Sequence, residues 1–255
     1  MLELNKIYLG DCLDVMQQID DKSIDAIVCD LPYNTTKNSW DSLIPFEPLW
    51  EQYNRIIKDD GAIVLFSQQP FTSMLVMSNP KMFKYEWIWE KENGTGFLNA
   101  NHAPLKIHEN ILVFGKGATS PTKKSVSMKY NPQMRTGFKA YTCKQGGIGN
   151  NYDFKHSKET VTDNNGERYP VDIIKFNRDK EKLHPTAKPV ELLRYLIRTY
   201  TNENDVVLDN CMGSGSTIVA AIRENRQYIG IEKDEKYFNV ANERIKNETS
   251  QLSLF

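Results

Sequence analysis

A chain of 255 residues that is 40% apolar and 25% charged can bury one sizeable core, which excludes a disordered polymer. A formal net charge of -1 excludes a uniformly basic nucleic-acid binder, so affinity for a polyanion has to come from a local patch. Cys12, Cys29, Cys143 and Cys211 are scattered without Cys-x-x-Cys spacing, and no apolar run reaches membrane-spanning length; both point to a soluble, cytoplasmic protein.

In chain order, residues 4–9 read as a strand, Gly10 and Asp11 open a helix that runs to residue 19, and residues 24–29 form a second strand leading to Asp30. A helix over 46–57, a strand over 62–66, a helix over 71–77 and strands over 85–89 and 111–114 continue the alternation. Periodicity then stops from 115 to 182. Residues 115–158 carry nine Lys or Arg against a single acid, Asp153. Order returns with a helix after Pro189, where Leu193, Ile197 and Tyr200 share one face. A strand over 206–209, a helix over 215–224, a strand over 228–232 and a last helix bearing Tyr237, Val240, Ala241, Arg244 and Ile245 follow. Such alternation predicts an α/β fold, a mostly parallel sheet covered by helices.

Two stretches carry chemistry. The run from Val206 through Asp209, Asn210, Cys211, Met212, Gly213, Ser214, Gly215 and Ser216 to Thr217 is an apolar strand ending in an acid, then a Gly-x-Gly turn into a helix. Glycines let a ligand approach the backbone, and amides at the helix start favour an anionic group. Glu232 ends the next strand, where an acid accepts hydrogen bonds from ribose hydroxyls. Ile218 stands where a dinucleotide motif would have its third glycine, so a nucleoside ligand with an amino group for Asp209 suits the site better than NAD. The alternative for the turn alone is a tight strand-to-helix connection.

Asp30, Leu31, Pro32 and Tyr33 place a carboxylate, a carbonyl restricted by the following proline and an aromatic ring at a strand end. Together they can hold a planar amine: Asp30 and the Leu31 carbonyl accept its N–H groups while Tyr33 stacks on its ring. The alternative is an ordinary turn.

Asp-Leu-Pro-Tyr combined with Asp-Asn-Cys-Met-Gly-Ser-Gly-Ser-Thr resembles the amino-group DNA methyltransferases, whose usual signatures are Asp-Pro-Pro-Tyr and Asp-Pro-Phe-x-Gly-Ser-Gly. The catalytic signature comes first here, and residues 184–189, His-Pro-Thr-Ala-Lys-Pro, resemble the segment before the cofactor strand in the permuted β class. The resemblance implies a Rossmann-like, S-adenosylmethionine-dependent methyltransferase fold, circularly permuted, with an inserted target-recognition region. Its parts are a catalytic half over 1–114, the insertion over 115–183 and a cofactor-binding half over 184–255. It also implies that the 228–232 strand lies beside the 206–209 strand, with the first strand beyond it.

By the same resemblance Asp11 recognises the adenine of S-adenosylmethionine, Asp209 and the turn of Gly213, Ser214, Gly215 and Ser216 hold its methionine portion, and Glu232 binds its ribose. Thr186 and Lys188 close the pocket. Asp11 as a mere helix N-cap and Lys188 as a surface cation remain the alternatives. Leu31 for the first proline keeps the carbonyl acceptor, whereas Asn210 and Cys211 for Pro-Phe alter the cofactor's aromatic contacts.

The expected activity is methylation of the N6 amino group of adenine in DNA. Its rivals are the cytosine-N4 reaction, an RNA amino methyltransferase and a catalytically silent nucleic-acid-binding module. Cys29 lies on an apolar strand and no Pro-Cys signature is present, so cytosine ring-carbon chemistry does not fit, and no His and carboxylate cluster has metal-ligand spacing. Double-stranded DNA is the expected partner, contacted by Lys123, Lys124, Lys129, Arg135, Lys139 and Lys144 interleaved with Tyr130, Phe138 and Tyr141. A second copy of the chain and a cognate restriction endonuclease are candidate partners, in a bacterial or phage-infected cell.

Overall fold

The structure, a computed structural model, describes residues 2–33, 43–120, 126–145, 160–179 and 187–252. Strand β1 (Lys6–Leu9) leads into helix α1 (Cys12–Met16) and β2 (Ile24–Cys29). Helix α2 (Phe46–Ile56), β3 (Ile57–Ser67), α3 (Phe71–Ser78), β4 (Phe83–Thr95) and β5 (Lys106–Gly115) follow. After β6 (Tyr141–Gln145), β7 (Thr160–Asn164) and β8 (Ile173–Lys175) come α4 (Val190–Tyr200), β9 (Val206–Asp209), α5 (Ser216–Arg223), β10 (Gln227–Glu232) and α6 (Glu235–Leu252).

The main sheet has the order β1-β10-β9-β2-β3-β5-β4-β8. Strands β1, β10, β9, β2 and β3 are parallel, whereas β5 runs antiparallel between β3 and β4. Strand β10 therefore sits beside β9 with β1 beyond it, as the resemblance implied. Every residue of β2 is buried because helices cover both faces. Ala26 and Val28 pack into a core with Leu193, Leu196 and Ile197 of α4, Val219 of α5 and Ala241 of α6. Ile27 and Cys29 face the other way, toward Met16 of α1, Tyr53 of α2 and Phe71 of α3. Cys29 is thus a core residue, as its apolar strand suggested.

Helix α2 buries Leu49, Trp50, Tyr53 and Ile56, one stripe at helical spacing. Each aliphatic side chain fully withdrawn in this way contributes about 1.5–3 kcal/mol. Strand β3 starts five residues before its predicted beginning at 62, because Ile57 already pairs with Ile24 ahead of a register shift.

The chain divides into two compact units, one of Met1–Asn131 with Asp172–Phe255 and one of Pro132–Val171. The smaller unit carries the antiparallel β6–β7 hairpin. It is narrower than the insertion expected over 115–183. Met128 packs into the larger unit's core, and β8 extends the main sheet along β4.

One expected DNA contact is corrected by this arrangement. Lys129 donates to Asp25 at 3.2 Å and to Asp205 at 2.5 Å, and its side chain is only 15% exposed. Asp25 is buried on β2, accepts also from Lys58, and receives the Val206 amide at 2.9 Å. The ammonium therefore pins β2 to the start of β9 at the amino edge of the sheet, where two carboxylates need it more than a phosphate does. Lys129→Met is expected to lower stability by about 2–3 kcal/mol, since the loss strands a buried carboxylate that retains only part of its shell. Urea unfolding measures this; unchanged stability with weakened DNA binding would return Lys129 to the DNA surface.

Candidate active site

The chain leaves β2 toward β3 on one side of the sheet and β9 toward β10 on the other. Such a switch point opens a crevice at the carboxyl ends of the strands. Asp30 and Asp209 flank it. Register sets Leu9 beside Glu232 and Gly230 beside Asp209. Asp11, Glu232, Asp209 and Asp30 consequently stand at the ends of four neighbouring strands.

On the β9 side, Asp209 is buried and accepts the Cys211 amide at 3.1 Å. Burial pushes its carboxyl up to about 7, against the hydrogen bonds from Thr217 and Cys211 that favour the anion. The turn above it takes φ of +51° at Gly213 and +78° at Gly215. A Cβ on Gly213 would meet nothing within 4 Å, so the backbone there is open to a ligand, whereas one on Gly215 would press on Ala241 at 3.1 Å. Ser214 and Ser216 are buried, and the Ser216 hydroxyl is held by Arg244 at 2.9 Å.

Glu232 closes the same turn. Its two oxygens accept the Gly213 and Asp234 amides, each at 2.8 Å, and burial raises its carboxyl above the usual range. Each oxygen keeps a further acceptor direction. Asp11 caps α1 through the Leu13 amide at 3.0 Å and meets Lys233 at 3.0 Å. Burial opposes its charge, but these partners outweigh that and hold it below the ordinary value. Asp11 is thus an N-cap, as the alternative had it, and its second oxygen meets a cation while its side chain stays partly exposed.

Asn210, the departure from the usual proline, is almost wholly buried and accepts from the Tyr53 hydroxyl at 2.7 Å. An amide replaces ring stiffness with a bond to α2. Thr186 lies outside the described residues.

On the β2 side the structure gathers a charged cluster. Tyr33 donates to Asp30 Oδ1 at 2.5 Å and stacks on Phe71, ring centroids 4.9 Å apart. Burial, with Asp30 beside it, raises the Tyr33 phenol well above 10, so it stays a neutral donor. Leu31 is buried beneath them. Lys188 Nζ meets Asp30 Oδ2 at 2.5 Å and Glu109 Oε2 at 3.3 Å, and lies 5.2 Å from the centre of the Phe66 ring. Lys91 completes the row against Glu109 Oε1. Burial disfavours the Lys188 charge, but the two carboxylates outweigh it and hold the ammonium above its ordinary value. Burial likewise opposes the Glu109 charge, and Lys188 with Lys91 overcomes it.

Lys188, expected to help close the cofactor pocket, is thus no surface cation. It joins the reactive group, because the segment before α4 lies against β5. Glu109 and Lys91 escaped sequence reasoning, although a signal existed. Glu109 shares strand parity with buried Ile111 and Val113, and Lys91 with buried Trp87 and Trp89, so both are charges at inward positions.

Comparison with known proteins bears on this geometry. A family described as DNA methylase matches residues 24–243. The chain belongs to that family. The methylase is similar to the type II methyltransferase M1.MboII of Moraxella bovis, 31% identical over 95% of this chain and 96% of that one. It is also similar to the DNA adenine methyltransferase YhdJ of Escherichia coli K12, 26% identical over 95% of this chain and 83% of the relative. Among solved structures, the M1.HpyAVI–SAM complex shares the fold with a TM-score of 0.60 at 23% identity, covering 94% of this chain and 98% of that chain. The cytosine-N4-specific PvuII DNA methyltransferase does so with 0.66 at 16%, covering 98% and 93%. The Rossmann-like methyltransferase fold follows from these likenesses and from the strand order.

Proposed function

We propose that the methylase transfers a methyl group from S-adenosylmethionine to the N6 amino group of adenine in double-stranded DNA. The observation that carries this reading is the buried junction of Asp30, Tyr33, Lys188 and Glu109, set across the switch point from the acid-lined turn. Aspartate at position 30 and the adenine specificity in the name of one relative favour adenine over the cytosine-N4 reaction.

The residues fit the cofactor: an open backbone at Gly213, a buried acid beneath it and acids at the next two strand ends. Asp209 and the turn of Gly213, Ser214, Gly215 and Ser216 hold the methionine part, the two serines through their backbone. Glu232 holds the ribose, and Asp11 the adenine amino group. When bound, S-adenosylmethionine supplies a methyl carbon made electrophilic by a sulfonium.

Everything else falls to this chain's own side chains. The target base leaves the duplex, at a cost of a few kcal/mol, to reach the crevice. Asp30 and the Leu31 carbonyl accept the amine's N–H groups and turn its lone pair out of conjugation with the ring. A carboxylate has room for this beside Tyr33 and Lys188, having about four acceptor directions. Tyr33, backed by Phe71, offers the ring face on which the base stacks. Lys188 fixes the Asp30 carboxylate, and Glu109 with Lys91 fixes Lys188. Orientation and fixed charge supply the catalysis.

The DNA-facing side chains are proposed to include Arg135, Lys139 and Lys144 of the smaller unit. Arg135 and Arg168 both lie over Phe138, 5.3 and 5.4 Å from its ring centre, so arginines and aromatics alternate there. Lys123, Lys124 and the Lys144 side chain fall outside the described residues. A cognate restriction endonuclease is proposed from the type II names of relatives. A second copy of the chain is proposed as a further partner. No helix among the described residues is long and apolar enough to cross a membrane, which suits the proposed cytoplasmic location.

Incubation with labelled cofactor and a mixed-sequence duplex is expected to yield N6-methyladenine by nucleoside mass spectrometry, and base-resolved mapping then gives the target sequence. Asp30→Ala should abolish that product while cofactor affinity stays within a few-fold; label in N4-methylcytosine or in RNA alone would replace the substrate. Glu109→Gln is expected to lower the turnover number roughly ten- to a hundred-fold, as a displaced catalytic group does, with cofactor affinity unchanged. A parallel loss of cofactor affinity would move the Lys188 cluster to the other half of the site.

The third test uses pH. A ligand ammonium pairs with ionised Asp209, whose carboxyl titrates near 7 in the free protein, so binding below that value requires proton release. Cofactor affinity should therefore rise between about pH 5.5 and 7, by up to roughly tenfold per pH unit. Calorimetry on Asp209→Asn should show weaker binding without that slope; a slope that survives would assign it to another group.

A further inference from the structure

The tip of the hairpin joining β4 to β5, beyond Lys91 and Glu109, has no part in the chemistry above, yet it is built beside it. Strand β4 is parallel to β3, so its carboxyl end projects from the same sheet edge as Asp30 and Asp209. The base of the hairpin is the Trp89–Glu109 pair, and Glu109 reaches Asp30 through Lys188. From Glu109 to Leu105 the ribbon runs about 13 Å at 3.3 Å per residue.

Gly96 turns the chain with φ of +96°, a conformation that side-chain-bearing residues rarely adopt, and a 3-10 turn over Phe97–Asn99 follows. Phe97 is 70% exposed and Leu98 100%, with Leu105 and Ile107 also exposed behind them. An apolar point of this kind is unfavourable in water and marks a contact site. No carboxylate occurs from Asn93 through His108, a stretch that holds Lys106, His102, His108 and three asparagines. A surface that is apolar at its tip and carries no carboxylate between Glu92 and Glu109 complements the base stack and phosphates of a duplex. A two-stranded ribbon also fits the major groove, about 12 Å wide.

We propose that Phe97 and Leu98 form a wedge that enters the duplex beside the target adenine and unstacks it, so that the base can reach Asp30. The inference rests on the DNA-adenine reading of the site and adds the element that opens the substrate. Apolar side chains inserted at a base step offset lost stacking with their own contact area.

The test pairs Phe97→Ser with Leu98→Ser in one variant and uses two duplexes carrying the mapped target. One is fully paired, and in the other the target adenine faces a mismatch and is already loosened. On the paired duplex, transfer is expected to fall about tenfold or more, whereas on the mismatched one it stays within about threefold of wild type. Unchanged cofactor affinity and melting temperature show that the fold is intact, as exposed positions allow. Equal loss on both duplexes, or loss on neither, would overturn the wedge. A shift from dimer to monomer on gel filtration, with equal loss, would give the tip to a contact between copies. Absence of N6-methyladenine with the wild-type protein on either duplex would instead remove the substrate reading, and the wedge with it.

Discussion

The parallel pairing of β2 with β9 joins parts of the chain that are 181 residues apart at the Asp25–Val206 hydrogen bond. Main-chain pairing alone does not choose this neighbour among so many similar apolar strands. The choice is made at the amino edge, where buried Asp25 binds the Val206 amide and is neutralised by Lys58 and Lys129. Unpaired, that carboxylate would cost several kcal/mol, so only the register that supplies its partners is tolerated. From this pairing follows the switch point at the opposite edge. There, Asp30 and Asp209 come to face one crevice.

Charge is handled differently on the two sides of that crevice. Around Asp30, carboxylates and ammoniums alternate through Lys188, Glu109 and Lys91, so the charges compensate one another and the Asp30 carboxylate is held in place. Around Asp209 no cation pairs with the carboxylate among the described residues, and burial, with the Asp30 charge adding to it, lifts its carboxyl to about 7. One side is organised before any ligand arrives. The other holds its buried acid among hydrogen-bond donors, Thr217 and the Cys211 amide.

The smaller unit shows why summed charge is a poor guide to a polyanion surface. Its arginines are engaged locally: Arg135 donates to the Tyr169 carbonyl, and Arg168 reaches Asn164 and the Lys139 carbonyl while lying 4.6 Å from the centre of the Tyr141 ring. Such contacts orient guanidinium planes without removing their charge. Lys129, in the same basic run of sequence, serves the interior of the larger unit instead.

The alternation of elements, the two signature loops and the apolar character of the central strands were all legible in the sequence, because each depends on residues close together in the chain. The 24–29 and 206–209 strands, Asp209 beneath its glycine turn and Glu232 at the next strand end needed only local periodicity and spacing. Tertiary structure decided the partners of the charges. Lys129 and Lys188 look alike in sequence as cations in polar stretches, but one staples the amino edge and the other grips Asp30. Glu109, with no motif of its own, enters the site only when β5 packs against the segment before α4. A long side chain's role depends on which opposite charge burial brings within about 4 Å, and that distance is set by strands far apart in sequence.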